Sequence, residues 1–237
     1  MNDNYIKSIS INHFELEDYL SELVGLKKFQ NIIFDSPITF FVGENGSGKS
    51  TLLEAIAVHM GFNAEGGSKN FNFTTYDSHS DLYQSIKTVR HALKPEDGFF
   101  LRSESFYNVA TYVEQLDLNL KEYGGVPIHE QSRGEGIFNL INNRFRGNGI
   151  YLLDEPEAGL SQSRQLALLA GIHQLALQGS QFIIATHSPI LLAHPDAKII
   201  SFDEDQPPIV TYEETKAYEI MSLFMSRRER MIEELLS

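Results

Sequence analysis

Residues 43–51, Gly-Glu-Asn-Gly-Ser-Gly-Lys-Ser-Thr, follow the apolar run Ile38–Val42 and precede Leu52, Leu53, Ile56 and Met60. The spacing is G-x-x-x-x-G-K-S, set between a predicted strand and a predicted helix. Its chemistry is the capture of a phosphate chain. Gly43, Gly46 and Gly48 let the backbone turn tightly, so that the N–H groups of the loop, through Glu44, Asn45 and Ser47, point inward. The helix that starts beside them adds the positive end of its dipole. Lys49 supplies a point charge for the outer phosphates. Ser50, with Thr51 after it, supplies a hydroxyl for a Mg²⁺ ion. The stretch therefore predicts a bound nucleoside triphosphate.

Further along, Ile150-Tyr151-Leu152-Leu153 is an apolar strand that ends in Asp154, Glu155 and Pro156. Asp154, at the strand's C-terminal end, is placed to hold Mg²⁺ through water. Glu155 is placed to polarise an attacking water as a general base. An acidic turn would be the plain alternative, but it follows a phosphate-binding loop. His187, in Thr-His-Ser-Pro after the strand at 182–185, falls on the ligand side of a parallel sheet, where it can hydrogen-bond a terminal phosphate or the water. Gln131-Ser132-Arg133-Gly134-Glu135-Gly136 precedes a helix bearing Ile137, Leu140 and Ile141, with Ser132 as its N-cap. This is a second helix start that suits an anion. One nucleotide needs one cradle, so a second on the same chain suggests two chains that exchange sites.

The elements around these residues set an α/β class. The chain has 237 residues, no cysteine and a net charge of −13. Disulfides, thiolate metal sites and cysteine nucleophiles are excluded. An acidic surface does not attract nucleic acid without a local basic patch. Arg227, Arg228 and Arg230 are offset by Glu229, Glu233 and Glu234 and read as a solvated helix face. No apolar run approaches the ~20 residues that cross a bilayer, and Met-Asn-Asp-Asn-Tyr lacks the features of a signal peptide. A cytoplasmic location is expected.

In chain order, Ile6, Ile9 and Ile11 mark an antiparallel strand at a sheet edge, and 31–34 a second short strand. Residues 15–30 are ambiguous. Residues 82–91 and 106–123 are predicted helices, with 99–101 a buried strand between them. The range 62–148 is expected as a helical subdomain inserted in a single domain spanning 1–237. After residue 148 strands and helices alternate, which implies a parallel sheet with helices packed on it. Ser161 caps a helix through Leu177, ended at Gly179, and Lys216–Leu236 is a terminal helix.

The order of these motifs resembles an ABC-class ATPase: Walker A at 43–51, signature at 132–135, Walker B at 150–155 and a switch histidine at 187. The loop sequence Gly-Glu-Asn-Gly-Ser-Gly-Lys-Ser-Thr-Leu-Leu-Glu-Ala-Ile is similar to the SMC and RecF branch, and to the small, soluble "predicted ATPase" group near it. The resemblance covers nearly the whole chain. It implies a P-loop NTPase fold with an ABC-type core, a mostly parallel sheet flanked by helices and N-terminal antiparallel strands. It also implies an ATP-dependent, head-to-tail homodimer with two ATP molecules and Mg²⁺ at the interface. Ser132 and Gly134 would then meet the phosphate held by the Lys49 of a second copy.

Two positions depart from the family pattern. Ser161 stands where many members have aspartate, and Arg133 replaces the first glycine of a Ser-Gly-Gly pair. Arg133 is either a charge supplied in trans to the transition state or a surface or dimer contact. Where the family places a Mg²⁺-sensing glutamine, after the strand at 99–102, the nearest candidate is Glu104; Gln84 and Gln115 fit less well. His13, Phe14 and Tyr19 are candidates to stack on adenine.

The leading expectation is Mg²⁺-dependent ATP hydrolysis that drives dimer closure in a soluble effector ATPase, with a protein client or nucleic acid in maintenance or defence. The alternative is the ATP-binding subunit of a membrane transporter, which needs a membrane partner.

Overall fold

The computed structural model describes residues 4–13, 23–69, 80–108, 111 and 125–237. Its strands are β1 (Ile6–Ile11), β2 (Asn31–Ile33), β3 (Ile38–Val42), β4 (Ile86–Arg90), β5 (Asp97–Arg102), β6 (Gly149–Asp154), β7 (Gln181–Ala185), β8 (Lys198–Ser201) and β9 (Ile209–Val210). Its α-helices are α1 (Val24–Lys27), α2 (Lys49–His59), α3 (Arg133–Arg144), α4 (Gln162–Leu177), α5 (Pro189–Leu192) and α6 (Lys216–Leu236). A six-stranded sheet has the order β5-β6-β7-β3-β8-β9, parallel throughout except for β9.

The strands of this sheet are apolar on both faces, as parallel strands covered on both sides must be. Alternate residues feed two cores. Phe40, Phe99, Tyr151, Leu153, Phe182 and Ile184 pack under α3, α4 and α5. Phe41, Phe100, Ile150, Leu152 and Ile183 pack under α2 and the N-terminal sheet. That second sheet is antiparallel, in the order β2-β1-β4. Ile6, Ile9 and Ile11 bury the inner face of β1. The predicted α/β fold, mostly parallel with N-terminal antiparallel strands, is the fold observed.

Several local expectations change. β1 is the middle strand of its sheet, not an edge, because β4 pairs with its other side. Residues 82–91 are not an α-helix: a short 3₁₀ turn over Asp81–Ser85 leads into β4. The Ile-Lys-Thr-Val-Arg run has β-branched residues that suit a strand, and pairing with β1 decides its form. The range expected as a helical insertion, 62–148, thus contributes β4 and β5 to the two sheets of the core. Residues 70–79, 109–110 and 112–124 of that range, including most of the predicted helix at 106–123, lie outside the described residues. Among the described residues, no helix is long and apolar enough to cross a membrane. Helix α6 buries none of its residues and exposes Ile220, Met221, Met225, Leu235 and Leu236.

Candidate active site

The parallel registers bring the C-terminal ends of the central strands side by side. Asp154 lies opposite Ala185 across β6–β7, Phe41 opposite Ala185 across β3–β7, and Val42 opposite Ser201 across β3–β8. The loops that leave these ends therefore meet: 43–48 after β3, 155–160 after β6, 186–188 after β7 and 202–205 after β8. The sheet topology places the predicted motifs at 43–51, 154–155 and 187 at one edge.

The first loop is the tightest. Gly43, Gly46 and Gly48 have φ of 144°, 79° and 103°, a region closed to side chains without strain. Gly48 is the N-cap of α2, and no side chain caps the helix or places an acid in its first turn. Ser47 Oγ is buried without a hydrogen-bond partner. Such an uncapped, dipole-positive helix start is what a phosphate satisfies. Lys49 is buried, and its Nζ donates to the carbonyl oxygens of Gly43 (2.7 Å) and Glu44 (2.8 Å). Burial lowers its pKa, opposed by Glu155 and Asp154.

Ser50 Oγ donates to Asp154 Oδ1 at 2.8 Å. Burial raises the Asp154 carboxyl to about 6, against the Ser50 hydrogen bond and Arg102. A buried carboxylate with a neighbouring hydroxyl and an excess of negative charge fits a hard divalent cation. Glu155 follows in a left-handed conformation, φ 49°. Two bonds hold that strained backbone: Glu155 N donates to Ala185 O at 2.9 Å, and Ser103 Oγ donates to Glu155 O at 2.6 Å. Strain fixed in this way aims a side chain. Glu155 Oε1 lies 4.0 Å from His187 Nε2. Burial first, and Lys49 second, lower the His187 pKa, so the imidazole is neutral near pH 7.

A cavity of about 400 Å³ is lined by Asn45, Gly46, Gly48, Lys49, Ser50, Thr51, Glu104 and Glu155, with Leu23 at its wall. Glu104 is thus at the site, largely exposed, with Arg102 at 3.7 Å. His187 lines an adjoining hollow with Gly43, Glu44, Asp203 and the first turn of α6. Residues 132–135 line neither. Ser132 caps α3 as expected and forms a closed capping box with Glu135. Arg164 approaches Glu135 at 3.4 Å. Gly134 packs against Gly159, where an added Cβ would stand 2.2 Å from the Gly159 carbonyl oxygen. Arg133 keeps a buried Nε without a partner.

Of the adenine candidates, His13 Nε2 donates to the Phe29 carbonyl at 2.7 Å, whereas Phe14 and Tyr19 lie outside the described residues. Gln84 bonds Asp81 and Tyr83, and Gln115 lies outside the described residues.

Three residues escaped sequence reasoning. Asp203 Oδ1 accepts from Glu44 N at 2.8 Å. Lys216 bridges Glu44 (3.3 Å), Asp205 (3.2 Å) and Asp203 (3.8 Å). Glu157 bonds the loop that carries His187. Asp203 was open to discovery, since it follows the end of a predicted parallel strand. The other two depend on chain returns that no local pattern announces.

Fold and site together define a P-loop ATPase of the ABC type. A family model described as "AAA domain" matches residues 19–148, a span that holds both 43–51 and 132–135. That is more than half of the chain, and the chain belongs to this family. Among curated proteins it is similar to the arabinose import ATP-binding protein AraG of Mannheimia succiniciproducens, 24% identical over 201 residues, covering 76% of this chain and 40% of that protein. It is also similar to the cytochrome c biogenesis ATP-binding export protein CcmA of Bartonella henselae, 28% identical over 212 residues, covering 82% of this chain and 95% of that protein. Among solved structures, a chain of a metal-chelate type ABC transporter in an inward-facing conformation superposes with a TM-score of 0.50 at 16% identity, covering 95% of this chain and 90% of that one. This last likeness concerns the fold.

Proposed function

We propose that the chain hydrolyses ATP with Mg²⁺ and that ATP closes two copies head to tail. The loop 43–51 and Lys49 hold the phosphates. Ser50 and Asp154 hold Mg²⁺, with Glu104 across the cavity as a further oxygen donor. The ion, when bound, neutralises charge on the outer phosphates. Glu155 orients the attacking water, and neutral His187 donates a hydrogen bond to the terminal phosphate. Ser132, Arg133, Gly134 and Glu135 of the second copy complete each site. The 237 residues act as one cytoplasmic ATPase domain, and the parts of 62–148 outside β4, β5 and α3 form the inserted segment.

The observation that carries this reading is an asymmetry of placement. Lys49, Ser50, Glu104 and Glu155 share one cavity, and Glu155 faces His187, whereas 132–135 stand outside it on the same chain. A ligand that contacts both halves shifts copies toward the closed pair. Glu155→Gln should slow hydrolysis and leave binding intact. Light scattering should then find a dimer with Mg-ATP and a monomer with ADP. A monomer under both conditions would overturn the proposal.

The switch drives either of two kinds of client. The loop sequence supports a soluble effector of the SMC and RecF branch. The ATP-binding import and export proteins among the relatives support a transporter subunit with a membrane partner. Capture with the ATP-bound Glu155→Gln dimer separates them: nucleic acid or a nuclease supports the first, and integral membrane proteins the second.

A further inference from the structure

We propose that Glu157 is a positioning residue that fixes His187 against Glu155. The inference rests on the ATPase reading above and adds a residue to it. Glu157 follows Glu155 by two positions in a run of tight turns, where Ala158 N donates to Glu155 O at 3.0 Å and Leu160 N to Glu157 O at 2.9 Å. Its side chain reaches the loop after β7. There one oxygen, Oε1, accepts from Thr186 Oγ1 at 2.7 Å and from His187 N at 2.8 Å. Thr186 Oγ1 in turn accepts from Ser188 N at 3.0 Å. Donors from three consecutive residues, 186–188, are thus tied directly or through one hydroxyl to a single carboxylate oxygen.

The start of the loop is also tied to the phosphate-loop strand, since Thr186 N donates to Phe41 O at 3.2 Å. His187 is therefore clamped between the strand that ends in the Lys49 loop and the segment that carries Glu155. The second oxygen of Glu157, Oε2, is buried without a hydrogen-bond partner. A buried carboxylate satisfied at one oxygen costs stability, and an apolar side chain would pack there at lower cost. What the carboxylate contributes is the fixed height of the His187 backbone, hence the 4.0 Å between imidazole and Glu155. Misplacement of a reacting group by about 1 Å costs on the order of a hundredfold in rate.

Three variants test the clamp by turnover, by binding of a fluorescent ATP analogue and by proton NMR of His187. Glu157→Gln keeps the accepting oxygen and should stay within about threefold of the wild-type kcat. Glu157→Ala removes it and should lower kcat about tenfold or more, with nucleotide affinity within about twofold. In that variant the His187 ring, which is 43% exposed and faces Lys49, Glu155 and Asp203, should titrate nearer the ordinary histidine value as it moves away from Lys49 and its partly desolvated place. If Glu157→Ala does not fold, Thr186→Val removes one bond of the clamp and should lower kcat severalfold at unchanged affinity.

Wild-type turnover in Glu157→Ala, or in Thr186→Val where only that variant folds, overturns the inference. So does an equal loss in Glu157→Ala and Glu157→Gln, or a loss of kcat matched by a loss of affinity. Lys49→Ala is the control. If it is inactive while Glu157→Ala is normal, the clamp alone fails; if Lys49→Ala turns over normally, the ATPase reading fails.

Discussion

Helices α2 and α3 both begin at a glycine-bearing turn that sequence reasoning marks as an anion site, yet their starts differ in kind. The start of α2 is buried, capped by no side chain and free of acids in its first turn. Its N–H groups are left for a ligand. The start of α3 is exposed and closed on itself. Ser132 Oγ donates to Glu135 Oε2 at 2.7 Å and accepts from Glu135 N at 3.3 Å, and Glu135 Oε2 also takes the Ser132 N–H at 3.1 Å. The Ser132 hydroxyl and backbone bonds, with Arg164 behind them, hold the Glu135 carboxyl below its usual range. One helix start is prepared for a phosphate by its own chain; the other has its own carboxylate in that role. On the proposed dimer, Ser132 would meet the nucleotide with a hydroxyl that its own Glu135 already holds.

The contrast is open to attack from several sides. Lys49→Ala should lower ATP turnover by about a hundredfold or more, because no other described cation lines that cavity. Phosphate release measures it. Next in size, Gly134→Ala should cost about 2–3 kcal/mol in a thermal or urea melt, since the new methyl meets the Gly159 carbonyl. An unchanged melt would mean that the two turns are not packed as described.

Asp154→Asn sharpens the α2 side. The Asp154 carboxyl titrates at about 6 instead of 3.8. Its folded pKa is raised, so stability is full below about 4 and declines as pH rises through about 6. The asparagine variant, without bound metal, should exceed the wild type by on the order of 2 kcal/mol at pH 8, and the gap should close near pH 4. A gap that is constant with pH would place the cost elsewhere. The smallest effect belongs to the α3 side. Glu135→Ala opens the capping box and should lower the thermal midpoint slightly, with the nucleotide affinity of the single chain unchanged.

The parts of this molecule that sequence made legible are those whose cause is local. The strand before residue 43, the glycines that turn the loop, the Ser132 and Ser161 caps and the bounds of α4 and α6 follow from period, capping and turn chemistry. Strand β4 was not legible, because its form comes from pairing with β1, some 80 positions earlier. Nothing in the residues next to Glu157 marks its part. Its role arises from Thr186, 29 positions away. Lys216 meets Glu44 across 172 positions. Glu104 at the cavity was within reach of the sequence, since β5 pairs in register with β6 and places Arg102 opposite Asp154.

On the proposed reading, α2 and α3 supply complementary halves of one site from two chains. Mixing Lys49→Ala chains with Ser132→Arg chains tests it most directly. Each alone should be inactive, since every composite site then carries one defect. The mixture should regain part of the wild-type ATP turnover, because a mixed pair joins an intact Lys49 loop to an intact Ser132 turn. Two inactive parents that give an inactive mixture, although the chains exchange, would rule out a site shared between chains.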